Sequence, residues 1–140
     1  MISPEQSLTW FLRITALLLL SAALAVVMPH AWMSAIHTAL GLGELPDMPM
    51  VEYLTRSLSA LYAAVGAWCW FVTRDLQRYL PLLRFSVIVT AVFAVTLVAI
   101  DLAAGMPIGW TTIEASFVLA WAAALWGLVR RALRKDTETM

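Results

Sequence analysis

Four long apolar stretches constrain this chain more than anything else in it: Leu8 to Met28, Met50 to Val72, Leu82 to Ala103 and Ile108 to Val129. A helix rises about 1.5 Å per residue, so each stretch is long enough to cross roughly 30 Å of hydrocarbon. A soluble fold has no core large enough to hide them, because 62% of the 140 residues are hydrophobic and only 13% are charged, against about 25% charged in an average soluble domain. The sequence therefore predicts an all-α, polytopic membrane protein: a four-transmembrane-helix bundle forming a single membrane domain over residues 1–140.

The first stretch has a second interpretation, since Ile14 to Leu20 could be the apolar segment of a secretory signal with Ala23-Leu24-Ala25 as its cleavage site. Its N-terminal flank carries Glu5 and only Arg13, and the apolar run continues to Met28. A retained span is the expectation.

Basic residues set the orientation. Arg74, Arg78 and Arg84 surround the second loop, and Arg130, Arg131, Arg134 and Lys135 lie in a basic tail over residues 130–140. By the positive-inside rule these ends face the cytoplasm, so both termini are cytoplasmic in a multi-pass protein of the cell (inner) membrane. The outer loop at residues 29–49 contains no Lys or Arg. Trp10, Trp68, Trp70 and Trp126 then fall toward the inner ends, and Trp32 and Trp110 toward the outer ends, as an interfacial aromatic belt requires. Within the outer loop Trp32, Met33, Ile36 and Leu40 recur at helical spacing before Gly41 and Gly43, which predicts a short interfacial helix. Pro81 stands where a first-turn proline would open the third span.

Charge inside the spans is the chemical signal. A lone charge at mid-bilayer costs about 2.5 kcal/mol or more, so such groups turn inward and find partners. Arg56 lies about 9 Å below the outer end of the second span and Glu114 about 9 Å below that of the fourth, counting helical rise. Glu52 is one turn above Arg56 at the i,i+4 spacing that brings side chains together. Asp101 is near the outer end of the third span. Glu52, Arg56 and Glu114 are thus expected to form a bridged triad, with Ser59, Tyr62 and Asp101 completing a polar cluster. Ser59, Ala63, Gly66 and Ala67 make a small-residue face below Arg56, which suggests a tight contact with the fourth span. Two outcomes are open at this point: a closed structural clasp, or the floor of a pocket for a polar or anionic ligand, a lipid headgroup or a partner subunit.

Other chemistry finds little support in the pattern. Cys69 is the only cysteine, which excludes an internal disulfide or a cysteine metal cage. His30 and His37 flank the outer helix and are the weak candidates for a metal, but their spacing matches no ligand motif. No nucleotide, hydrolase or cofactor fingerprint occurs, and a net charge of zero leaves no nucleic-acid footprint. No cofactor is expected. The partners expected are the lipid bilayer and a membrane partner subunit or a second copy.

The stretch YLTRSLSALYAAVGAWCWFVTRDLQRYLPLLRF, residues 53–85, resembles DoxX-like and BphX-like small bacterial membrane proteins. Arg56 at the opening of the second span and Gly66 about ten residues later carry the likeness. The resemblance implies a compact four-helix bundle and, loosely, a subunit associated with redox or catabolic enzymes; it brings no catalytic residue with it. The sequence is read as a non-enzymatic membrane protein with an outer-leaflet polar site at Arg56. The alternatives are an oligomeric small-molecule transporter, and a membrane enzyme or redox-enzyme accessory subunit that uses His30, His37 and Asp47 on a lipid or quinone.

Overall fold

The computed structural model describes residues 3–138, with side chains described through residue 133; the side chains of Arg134 and Lys135, part of the expected basic tail, lie outside that description. Among the described residues the secondary structure is entirely helical: α1 (Pro4–Ser21), α2 (Ala23–Val27), α3 (His30–Ala39), α4 (Pro49–Val72), α5 (Leu76–Ala104) and α6 (Ile108–Glu138). Three segments are long and apolar enough to cross a membrane, namely Pro4–Val27, Leu76–Ala104 and Ile108–Leu133. Only 11%, 11% and 17% of their most apolar windows are buried within the protein. Apolar helices that expose so much of themselves need an apolar solvent, and the chain is an all-helical, multi-pass membrane protein. Helix α4 has the length, 24 residues, but Arg56, Glu52 and the hydroxyl residues Thr55, Ser57 and Ser59 dilute its apolar character.

Local chemistry moves several ends away from the limits of the apolar runs. Helix α1 begins at Pro4 because Ser3 and Gln6 form a reciprocal capping box: Gln6 N–H donates to Ser3 Oγ at 3.1 Å and Ser3 N–H to Gln6 Oε1 at 2.9 Å. Helix α5 begins six residues before Leu82, because the Asp75 carboxylate accepts from Arg78 N–H at 3.2 Å and caps it. Pro81 is therefore inside α5 and does not open it. Helix α6 continues past Val129 through the basic residues to Glu138.

The chain folds as two compact units. Residues 12–74 form one, containing the later part of α1 with α2, α3 and α4. Its tightest crossing is at Gly66 of α4, where an added Cβ would stand 2.8 Å from Leu20 N and 2.9 Å from Ala16 O. The small-residue face of α4 thus serves the first span at this point, a neighbour the sequence did not nominate. At the far end of the same two helices, Arg13 stacks 5.5 Å from the Trp70 ring centroid and donates from Nε to Thr73 Oγ1 at 3.5 Å. Between α3 and α4, Gly41 takes φ 78°, a left-handed conformation that stops α3.

The other unit combines residues 1–11 with 75–140. Helices α5 and α6 pack against each other as an antiparallel hairpin. Buried residues follow one stripe along each: Leu80, Leu83, Ala94 and Asp101 on α5, and Thr111, Ala122, Leu125 and Val129 on α6. The start of α1 joins them through Glu5, which accepts from Gln77 Nε2 at 2.6 Å, and through Phe11, whose ring lies 5.7 Å from that of Trp121.

The hairpin turn depends on Gly105, which closes α5 at φ 69° while Met106 N–H donates back to Asp101 O at 2.9 Å. A Cβ there meets open space, so its cost is backbone strain alone. Gly105→Ala is expected to destabilise the protein by about 1 kcal/mol, whereas Gly109→Ala, also in open space but within α6, should be neutral or slightly stabilising by about 0.5 kcal/mol. Thermal unfolding of both variants in detergent checks the pair. Equal losses would refute the strain argument.

Candidate functional site

Along α4 the less exposed positions are Val51 and Glu52, Thr55 and Arg56, then Ser59, Ala63, Gly66, Cys69 and Val72, a stripe that recurs every three or four residues. Both charges therefore lie on the less exposed side of the helix. The Arg56 guanidinium donates to Glu52 Oε1 from Nε at 3.0 Å and from Nη2 at 2.6 Å, a side-on engagement of one carboxylate oxygen. Side-chain exposures of 29% for Arg56 and 41% for Glu52 leave the pair reachable from outside.

The remaining partners of Arg56 are backbone groups. Its Nη1 donates to Val26 O, and its Nη2 to Met28 O at 3.1 Å. These carbonyls stand at the C-terminal end of α2, where a helix leaves its last acceptors unsatisfied and carries partial negative charge. One guanidinium thus neutralises a carboxylate and caps a helix end. Sequence reasoning missed the carbonyls because every residue has one, and only geometry says which lack a donor. The available signal was Pro29, which favours an extended Met28 and so ends α2, leaving Val26 O and Met28 O without donors from a following helical turn.

The other expected members divide between the two units. Ser59 is half-buried one turn below Arg56, while Tyr62 is 41% exposed and lies off that face of α4. Glu114 and Asp101 belong to the α5–α6 unit, where the Glu114 carboxyl lies within hydrogen-bonding reach of both the Asp101 carboxyl and the Trp110 indole. Asp101 is only 7% exposed.

His37 has Nδ1 2.8 Å from Gly43 O, and Thr38 Oγ1 donates to the same oxygen at 3.0 Å, so this histidine helps close the turn after α3. His30 Nε2 is buried and has no hydrogen-bond partner. Among the described residues no three His, Cys, Asp or Glu side chains come together as a metal site.

One groove lies between α5 and α6, and another lies on α6 alone. The first is lined by apolar residues including Ala91, Ala122, Leu119 and Trp126, and the second lies around Ala123, Gly127 and Arg131. Both are open to the surroundings.

Comparison with known proteins returns no matching family model, no matching curated protein and no matching solved structure.

Proposed function

We propose that this is a non-enzymatic membrane protein whose Arg56–Glu52 centre receives an anionic group, a lipid headgroup phosphate or the carboxylate of a small molecule or partner subunit, by exchange against Glu52. In this reading α4 is a fourth crossing, made tolerable by pairing of its two charges, and the centre lies in the outer leaflet of the cell (inner) membrane with both termini cytoplasmic. The observation that carries it is the bond from Nε and Nη2 to a part-exposed carboxylate. Glu52 is a built-in occupant of the position that a phosphate or carboxylate would take, and guanidinium geometry suits all three. The likeness to DoxX-like proteins is part of the same proposal and rests on Arg56 and Gly66.

The engagement of Nε, Nη1 and Nη2 with internal acceptors favours a second reading, a closed clasp that binds no ligand. Lipid retention separates the two. In nanodiscs mixing phosphatidylglycerol and phosphatidylcholine, native mass spectrometry should find the anionic lipid retained by the wild type. Glu52→Gln should retain several-fold more, and Arg56→Gln little. Equal retention by all three proteins removes the exchange reading and leaves the clasp.

A further inference from the structure

We propose that Asp101 and Glu114, with the Thr111 hydroxyl, form a binding site for one small monovalent cation, a proton or Na⁺, at the turn end of the α5–α6 hairpin. The starting point is an excess of acceptors. The Asp101 and Glu114 carboxyls lie within hydrogen-bonding reach of each other, yet Asp101 Oδ2 is buried with no hydrogen-bond partner. Two ionised carboxylates have only lone pairs to offer each other, and like charges at that separation repel strongly where water is scarce. Something positive has to stand between them. A shared proton is the smallest solution, as in other carboxyl pairs, and a bare alkali ion is the next.

Thr111 is the independent observation. It is 7% exposed, and its Oγ1 is buried without a partner. It lies on the buried stripe of α6, three residues before Glu114 and therefore on a neighbouring face. Like Asp101, it is five positions along the chain from Met106, at the turn end of the hairpin. Asp101 and Thr111 are the buried polar residues of α5 and α6 next to the turn that joins these two packed helices. Burying a hydroxyl with no partner costs about 1–3 kcal/mol, a cost that a ligand accepting its lone pair would remove. The setting favours a cation in a further way, because Asp101 is in the last turn of α5, where the helix end carries partial negative charge.

No basic side chain of these elements can do the same work. On α5 the basic residues Arg78 and Arg84 lie in the first third of the helix, and on α6 the first is Arg130. Seventeen residues separate Asp101 from Arg84, roughly 25 Å along a helix. The opening residues of α1 bring only Glu5, held by Gln77 at the start of α5. The Trp110 indole brings Glu114 only a neutral hydrogen.

The test uses the full chain in detergent or nanodiscs and difference infrared spectroscopy of its carboxyl groups. If the occupant is a proton, the wild type shows the carbonyl band of a protonated carboxyl at near-neutral pH. That band disappears on alkaline titration, ignores Na⁺, and is lost in Asp101→Asn and Glu114→Gln. If the occupant is Na⁺, adding NaCl in place of KCl removes any such band, shifts the carboxylate bands and raises the melting temperature; both variants lose that response. Circular dichroism verifies that each variant is folded. Thr111→Val keeps the shape of the side chain and removes only the hydroxyl, so it should shift the band or weaken the sodium response even if a carboxyl variant does not fold. A wild type with neither a protonated-carboxyl band nor a sodium response overturns the proposal. So does a response that survives unchanged in all three variants.

Discussion

Gly66→Val is expected to destabilise the unit formed by residues 12–74 by about 3 kcal/mol, the upper part of the range for overpacking a close contact. The expectation is large because of what the new atoms would meet. Leu20 N and Ala16 O, 2.8 and 2.9 Å from an added Cβ, are backbone atoms of α1, and Leu19 Cβ is 3.0 Å away. A flexible side chain could swing aside, but helix backbone cannot; α1 and α4 would have to separate along their length. In a membrane this matters more than in water, since close backbone approach is the main attraction between apolar helices. Gly127→Val is the control, because Gly127 of α6 has open space around it, and a change within about 0.5 kcal/mol is expected there. Unfolding in mixed micelles, followed by tryptophan fluorescence and circular dichroism, measures both. A Gly66→Val protein as stable as the wild type would show that α1 and α4 do not cross at this glycine.

Arg56→Met should cost about 2–3 kcal/mol, the figure for leaving a charged partner and two helix-end carbonyls without their donor, already reduced because the ion pair is part-exposed and solvent screens it. Glu52→Gln should cost clearly less. The guanidinium then still has Val26 O and Met28 O to bond, and the amide oxygen remains a weaker acceptor. In the double variant the loss should fall short of the sum by about 1 kcal/mol, the coupling expected of side chains in direct contact. Strict additivity in that cycle would mean the Arg56–Glu52 bond contributes nothing to stability. Equal single losses would mean the carbonyl contacts contribute nothing. The two variants also bear on function, because a clasp and an exchange site share the stability result and differ in lipid retention.

The fold class was legible from the chain because the bilayer requirement is blunt. Any run of about twenty apolar residues must be a spanning helix or be hidden, and 140 residues cannot hide so many. The ends of the helices were less legible. Apolar runs mark where a helix meets lipid, whereas capping groups such as Ser3 with Gln6, and Asp75, decide where it starts. The count of crossings shows the same limit, since α4 has the length of a span and a composition that hydropathy alone does not accept.

For the polar groups, the sequence by itself determined the pair Glu52–Arg56, and for a local reason. Both sit on one helix, four residues apart, and helical geometry brings them together whatever the rest of the chain does. It also implied that each charge needs a partner. The identity of the longer-range partners was decided only by tertiary structure. Arg56 reached the carbonyls of Val26 and Met28, which no side-chain pattern announces, and Glu114 met Asp101 because the Gly105 turn folds α6 back along α5. Desolvation fixes from composition alone how strongly a buried charge needs a partner. Which partner it gets depends on which chain segments lie within about 3 Å, and that follows from turn geometry and the close approach of α1 at Gly66.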